Sequence, residues 1–259
     1  MKVVILAGGL GTRLSEETLI KPKPLVEIGD MPILWHIMKH YSFYGFSEFL
    51  ICCGYKGYLI KEFFVNYSIH ASDITVDISS KEIQTHSSKL DENWKVTLVD
   101  TGENTLTGGR LKKILPYLDQ DSDFFMTYGD GVSDVNISSL LEFHNSQNTL
   151  ATVTAVKPPA RFGYLNITKE SNLVSSFEEK SMDDQKFING GFFVLSPKVL
   201  NYIDSDMTSW EMEPLKILAS ESNLSAFKHD GFWHPMDTLR DKNYLNNLWS
   251  TNSAPWKKW

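Results

Sequence analysis

VVILAGGLGTRL, Val3 to Leu14, followed at once by KPKPLVEIG, Lys21 to Gly29, is the stretch on which the reading of this chain turns. Val3 to Ala7 is a short, almost wholly apolar run of the kind that forms a buried parallel strand. It runs directly into Gly8, Gly9 and Gly11. Glycine reaches positive φ and lets a ligand approach the main chain, so successive N–H groups around this turn can form an anion nest. Arg13, Lys21 and Lys23 stand behind it, and cations gathered beside a donor-rich turn repel one another unless an anion joins them. A phosphate group is the expected guest. The Walker pattern does not fit, because Gly11 is followed by Thr12 and Arg13, and the dinucleotide fingerprint fails at Leu14.

Outward from this stretch, strand-like and helix-like segments alternate. Strands are expected at Val3–Ala7, Glu48–Cys53, Val96–Asp100, Asp123–Tyr128, Leu150–Val156 and Gly191–Leu195. Helices are expected at Pro32–Tyr44, Tyr58–Tyr67, Gly109–Leu118, Ile137–Ser146, Pro197–Tyr202 and Glu213–Ser222. This rhythm predicts an α/β fold, a Rossmann-like, mostly parallel sheet flanked by helices, with the ligand site at the strand C-termini. One domain is expected over residues 1–259, with no repeat and no linker to divide it. Ser68–Trp94 breaks the rhythm. There Ile74, Val76 and Ile78 alternate with Asp73, Thr75 and Asp77, which predicts a half-exposed strand in a flap outside the parallel core.

Composition narrows the class. A chain of 259 residues is long enough for one large core, and a formal charge of −7 argues against a general nucleic-acid or acidic-membrane surface. With no apolar run of membrane-spanning length and no secretory signal, a soluble cytoplasmic protein is expected. Cys52 and Cys53 are neighbours in FLICCGY, so on a strand they point to opposite faces as buried reduced thiols rather than a disulfide or zinc site.

LAGGLGTRL, Leu6 to Leu14, and KPLVEIGDMPIL, Lys23 to Leu34, resemble the paired signature of the sugar-phosphate nucleotidyltransferases. Further segments, WHIMK, ICCGYKGY, VTLVDTG, TGGRLK, TYGDG, RFGYL, INGGFFVL and FWHPMDTLRDK, spread the likeness over almost the whole chain. Within the family they are similar to the branch that joins CTP and glucose 1-phosphate. The resemblance implies a homo-oligomer that supplies a CDP-sugar for dideoxysugars of bacterial surface polysaccharide.

The same resemblance assigns residues. Leu6, Ala7, Gly8, Gly9, Leu10, Gly11, Thr12, Arg13, Lys23, Thr105, Arg110 and Gly129 are implied for the nucleotide. Gly163, Tyr164, Glu179, Lys180, Asn189 and Gly190 are implied for the sugar phosphate, with Arg13, Lys23 and Lys180 catalytic. Ser181 departs from the proline usual after that lysine. Asp130, between Gly129 and Gly131 after an apolar strand, reads either as a turn residue or as a magnesium ligand. Mg²⁺ is commonly held by one or two carboxylates plus phosphates and water, and the resemblance supplies Asp237 as the second. His234 is expected to pack or hydrogen-bond rather than ligate a hard ion.

A sugar 1-phosphate is largely dianionic at neutral pH, with a second ionisation near ~6, so it needs no strong base before attack. Catalysis then rests on in-line positioning and charge neutralisation: Arg13 and the turn amides on the β- and γ-phosphates, Lys23 on the α-phosphate, Lys180 on the incoming phosphate. Cytosine presents acceptors at O2 and N3 where uracil carries a proton at N3, so Arg110 is the expected cytosine reader, assisted by Thr105 or a nearby carbonyl. Thr208 and Glu211 have capping-box spacing, which predicts a helix start first and a sugar contact second. Other nucleotides, or a noncatalytic nucleotide-sugar sensor on the same fold, remain as alternatives. The tail Trp249–Trp259 suits packing within or between subunits.

Overall fold

The computed structural model describes residues 1–88, 92–158, 164–167, 174–178 and 187–259. Its centre is a seven-stranded sheet of β1 (Val3–Ala7), β2 (Glu48–Cys53), β3 (Lys95–Asp100), β4 (Phe124–Tyr128), β5 (Ala151–Val156), β6 (Ile188–Leu195) and β7 (Leu224–His229), in the spatial order β7-β5-β6-β4-β1-β2-β3. Only β6 runs against its neighbours; the other pairings are parallel. The expected mostly parallel sheet is therefore the observed one. β1 lies between β2 and β4, with Leu6 opposite Cys52 on one side and Tyr128 on the other, so the order reverses beside β1. The loops after β1 and β4 part there and leave the crevice in which open α/β sheets bind ligands.

The two-residue period of a strand divides the core. Val3, Ile5 and Ala7 join Phe49, Ile51 and Cys53 on one face, while Val4 and Leu6 join Leu50 and Cys52 on the other. The adjacent cysteines thus point to opposite sides, both buried, as their spacing required. Helix α1 (Ile33–Phe43) covers the first face with Ile33, Leu34, Ile37, Met38 and Tyr41. α2 (Gly57–Val65), α3 (Thr107–Lys113), α4 (Ile137–Gln147), α5 (Glu213–Ser220) and α6 (Leu239–Ser250) complete the layers. No helix among the described residues is long and apolar enough to cross a membrane.

Several boundaries differ from expectation for local reasons. α3 begins at Thr107 and ends at Lys113, and Leu115–Tyr117 forms a 3₁₀ turn because Pro116 lacks the N–H that would continue the helix. Pro197–Tyr202 is likewise 3₁₀. Thr208 and Glu211 do not start a helix, since α5 begins at Glu213 after Met212. The reciprocal box belongs to α6, where Thr238 accepts the Asp241 N–H and Asp241 accepts the Thr238 N–H. Ser72–Asp77 and Glu82–Ser88 pair as a separate antiparallel ribbon with Ile74, Val76 and Ile83 exposed, which places the expected excursion outside the central sheet.

The tail packs within the chain. Trp256 is fully buried, stacked on Phe232 at 5.5 Å between ring centroids, and Trp259 lies edge-on to Trp35. Trp249 meets the ring of His36, and Asn246 one turn earlier accepts the Gly29 N–H at 2.8 Å. α6 and the tail thereby fasten the segment that follows Lys23.

Candidate active site

Gly11 takes φ +65°, the left-handed conformation open chiefly to glycine, and the chain then makes a 3₁₀ turn over Thr12–Leu14. Thr18 ties that turn down by donating to the carbonyls of Gly11 at 3.1 Å and Leu14 at 3.0 Å. Among the described residues neither Gly9 nor Leu10 gives its N–H to a protein acceptor, which suits these donors to an incoming anion. A second 3₁₀ turn, Lys23–Leu25, follows Pro22 and contains Pro24, so a proline flanks Lys23 on each side. It carries Lys23 inward until only 7 % of the residue remains exposed.

The two aspartates converge through a ribbon that the sequence did not announce. Gly131–Ser133 pairs antiparallel with Trp233–Pro235, and the Met236 N–H donates to the Asp130 carbonyl at 2.8 Å. This register sets Asp130 beside Asp237. The Lys23 ammonium donates to Asp130 Oδ2 at 2.6 Å and to Asp237 Oδ1 at 2.8 Å. Arg13, with its side chain 68 % exposed, takes the other oxygen of Asp237 at 2.7 Å. Burial alone would lower the Lys23 pKa, but the two carboxylates outweigh it and leave the amine above its ordinary value. Behind them Asp241 accepts the Asp237 N–H at 3.2 Å and meets His234 Nε2 at 3.0 Å, so His234 hydrogen-bonds as expected.

These groups line one cleft of roughly 510 Å³. Of the residues expected at the nucleotide, Leu6, Ala7, Gly8, Gly9, Gly11, Thr12, Arg13, Lys23, Thr105, Arg110 and Gly129 line it, together with both aspartates. Leu10 does not, for its side chain projects outward at 50 % exposure. Arg110 is 4 % exposed, and its Nη hydrogens meet the carbonyls of Cys53, Gly102, Gly8 and Glu103 and the hydroxyl of Thr101. The guanidinium of the expected base reader is thus already engaged in clamping the loop, which fixes where those carbonyls point. Lys113 donates to Thr105 Oγ1 at 3.3 Å.

On the other side, Asn189 Oδ1 accepts the Gly191 N–H at 2.8 Å, its Nδ2 donates to Tyr128 at 3.2 Å, and the Gly190 carbonyl accepts from Trp233 at 2.6 Å. Gly163, Glu179 and Lys180 lie outside the described residues; Tyr164 opens the strand Tyr164–Ile167, which pairs with Val174–Glu178. Tyr128, Leu106, Thr107 and Trp233 line the cleft and were not singled out from sequence. Trp233 stood inside the quoted FWHPMDTLRDK, Tyr128 inside TYGDG and Thr107 at the head of TGGRLK, but nothing in those segments told these side chains from their neighbours.

Two carboxylates converging on one ammonium form an all-oxygen cradle for a small hard cation, with the ammonium as its stand-in. No group of three or more acidic, histidine or cysteine ligands exists among the described residues, so such an ion would complete its shell from phosphate oxygens and water.

A doubly wound sheet that opens such charges onto a donor-rich turn defines a phosphate-handling α/β enzyme. More narrowly, the Nucleotidyl transferase family model matches residues 2–238, and the chain belongs to that family. It is 56 % identical over 259 residues, all of both chains, to the glucose-1-phosphate cytidylyltransferase of Salmonella typhi. A mannose-1-phosphate guanyltransferase of Yarrowia lipolytica is 29 % identical over 251 residues, 95 % of this chain and 62 % of that one. Among solved structures, HddC from Yersinia pseudotuberculosis superposes with a TM-score of 0.68 at 24 % identity, covering 96 % of this chain and 99 % of its own, a likeness of fold.

Proposed function

We propose that this nucleotidyltransferase transfers CMP from CTP to α-D-glucose 1-phosphate, releasing pyrophosphate and forming CDP-glucose. The observation that carries the reading is the 56 % identity over the full length of both chains to an enzyme named for that reaction. Family membership alone would leave the nucleotide open, because a guanyltransferase matches the same chain.

The chemistry needs charge neutralisation more than proton transfer. The dianionic sugar phosphate attacks the α-phosphorus in line with departing pyrophosphate, and each approach brings anion against anion. Gly8, Gly9, Gly11 and Arg13 are suited to the β- and γ-phosphates, and Lys23 to the α-phosphate beside them. Lys180 is assigned the incoming phosphate, with Gly163, Tyr164, Glu179, Asn189 and Gly190 around the sugar. Thr105 and Arg110 take the base side. Arg110 acts there by holding the carbonyls of Gly8, Gly102 and Glu103 in place, and a fixed carbonyl can accept from the cytosine amino group. Asp130 and Asp237 would hold Mg²⁺, which when bound supplies charge neutralisation to the phosphates.

Lys23 and Arg13 have two sets of anions open to them. In the free enzyme they neutralise the carboxylates, and a triphosphate offers them a stronger claim. Their movement onto phosphate would release Asp130 and Asp237 for the cation.

The test is pyrophosphate release with each nucleoside triphosphate crossed against several hexose 1-phosphates in magnesium, with products weighed by mass spectrometry. CTP with glucose 1-phosphate should give the highest kcat/KM and a CDP-hexose product. A higher value with another pair would replace the substrate assignment, and no release from any pair would favour a sensor.

A further inference from the structure

Glu211 does not line the cleft, yet groups from both of its sides end on its carboxylate. Oε2 accepts from Thr107 Oγ1 at 2.5 Å and from Ser209 Oγ at 2.6 Å, and Oε1 accepts from Tyr128 at 2.6 Å. Thr107 and Tyr128 are themselves cleft residues. An ionised carboxylate only accepts, so it obliges each hydroxyl to donate to it. The Tyr128 oxygen is then left as acceptor for Asn189 Nδ2, and Asn189 is fixed at its other end by the Gly191 N–H. Burial, followed by the Glu211 charge, raises the Tyr128 pKa and keeps the phenol a donor.

The nucleotide branch is equally tight. Thr107 opens α3, three residues before Arg110, and its oxygen also accepts the Trp210 N–H at 2.9 Å. The Leu106 N–H donates to Asp206 and the Gly109 N–H to Thr208. A Cβ at Gly108 would stand 2.7 Å from the Thr208 carbonyl, and one at Gly109 would stand 2.6 Å from the Asp206 backbone. Two consecutive glycines therefore let the first turn of α3 press against the loop that carries Glu211.

We propose that Glu211 is a positioning residue that joins the two halves of the active site, holding the base-side turn through Thr107 and the sugar-side amide of Asn189 through Tyr128. The proposal rests on the assignment of Leu106–Arg110 to the nucleotide and Asn189 to the sugar phosphate. It differs from a general structural role because its branches can be cut one at a time.

Tyr128→Phe keeps the ring and removes the hydroxyl between Glu211 and Asn189. It should raise the KM for the hexose 1-phosphate about fivefold or more, the loss of roughly one hydrogen bond, and leave the nucleotide KM within about twofold. Thr107→Val should do the converse. Glu211→Gln should raise both, and adding Tyr128→Phe to it should raise the sugar-phosphate KM little further, because both changes cut one chain of bonds. Circular dichroism and melting curves identify any variant that fails to fold; Thr107→Ser, which keeps the hydroxyl donor, should restore the nucleotide KM lost in Thr107→Val, and a Thr107→Ser enzyme as impaired as Thr107→Val would count against the proposal. The kinetics use whichever substrate pair the pyrophosphate-release panel selects, so an error in the assignment of CTP or glucose leaves the split intact. If Tyr128→Phe and Thr107→Val shift both KM values together, shift neither, or multiply their effects with Glu211→Gln, the proposal is overturned.

Discussion

Lys23 has two partners whose charges it balances, so its loss should be felt in chemistry and in stability by different amounts. Lys23→Ala should lower kcat by about 10²-fold or more, in the range found when a single donor to developing charge is removed. The same change leaves Asp130 and Asp237 facing each other without an ammonium, and added magnesium should raise the melting temperature of the variant more than that of the wild type. Scanning fluorimetry with and without the ion reads this independently of turnover, and equal shifts would argue against the carboxylate cradle. Arg110→Ala addresses the base. Freeing the carbonyls of Gly8, Gly102 and Glu103 should reduce the CTP-over-UTP ratio of kcat/KM about tenfold or more, since selectivity built on buried polar groups is lost when they are misaligned. An unchanged ratio would remove Arg110 from base selection.

At the scale of elements, the ribbon of Gly131–Ser133 with Trp233–Pro235 and the start of α6 decide where Asp237 stands. Thr238 caps α6 and Asp241 accepts the Asp237 N–H, so Thr238→Ala should cost about 1 kcal/mol and lower the melting temperature by about 2–4 °C. A loss of turnover beyond that expected from the unfolded fraction would show that the cap also orients Asp237. These elements mark the limit of what was legible in the chain. Strands β1, β2 and β4 could be read because strands buried on both faces are nearly continuous apolar runs. β7, LSAFKH, is only half buried at the sheet edge, and α6 is largely polar, so neither stands out by hydrophobicity. The glycine turn and Lys23 were readable because their residue types crowd into one segment. Glu211 was not, because its partners Thr107 and Tyr128 lie 104 and 83 residues away and meet it only after folding. Capping-box spacing was present at both Thr208 and Thr238, and only packing selected the second.

Across the whole molecule, stability should carry the mark of two buried histidines. His36 and His40 sit under the tail tryptophans, and burial, opposed only in part by hydrogen bonds to main-chain carbonyls, lowers each pKa to about 4. The unfolded chain binds protons at these sites near pH ~6.5 while the folded protein resists them, so their stability contribution is complete above that value and falls as the pH drops towards 4. Each can remove up to about 3 kcal/mol by the lower limit. Urea midpoints measured from pH 7 to 4.5 should fall steadily below about 6.5, and a flat profile would mean that neither ring is held neutral. The same dry interior governs the sulfur chemistry. Cys52 is raised well above an ordinary thiol and Cys53 to about 11, chiefly by burial on opposite faces of β2. Thiolates do the work in alkylation, so the native protein offers maleimide reagents almost nothing. A cysteine introduced at the exposed Ser80, in the turn of the outlying ribbon, would then be the one position to accept a fluorophore or spin label, with both natural cysteines left in place.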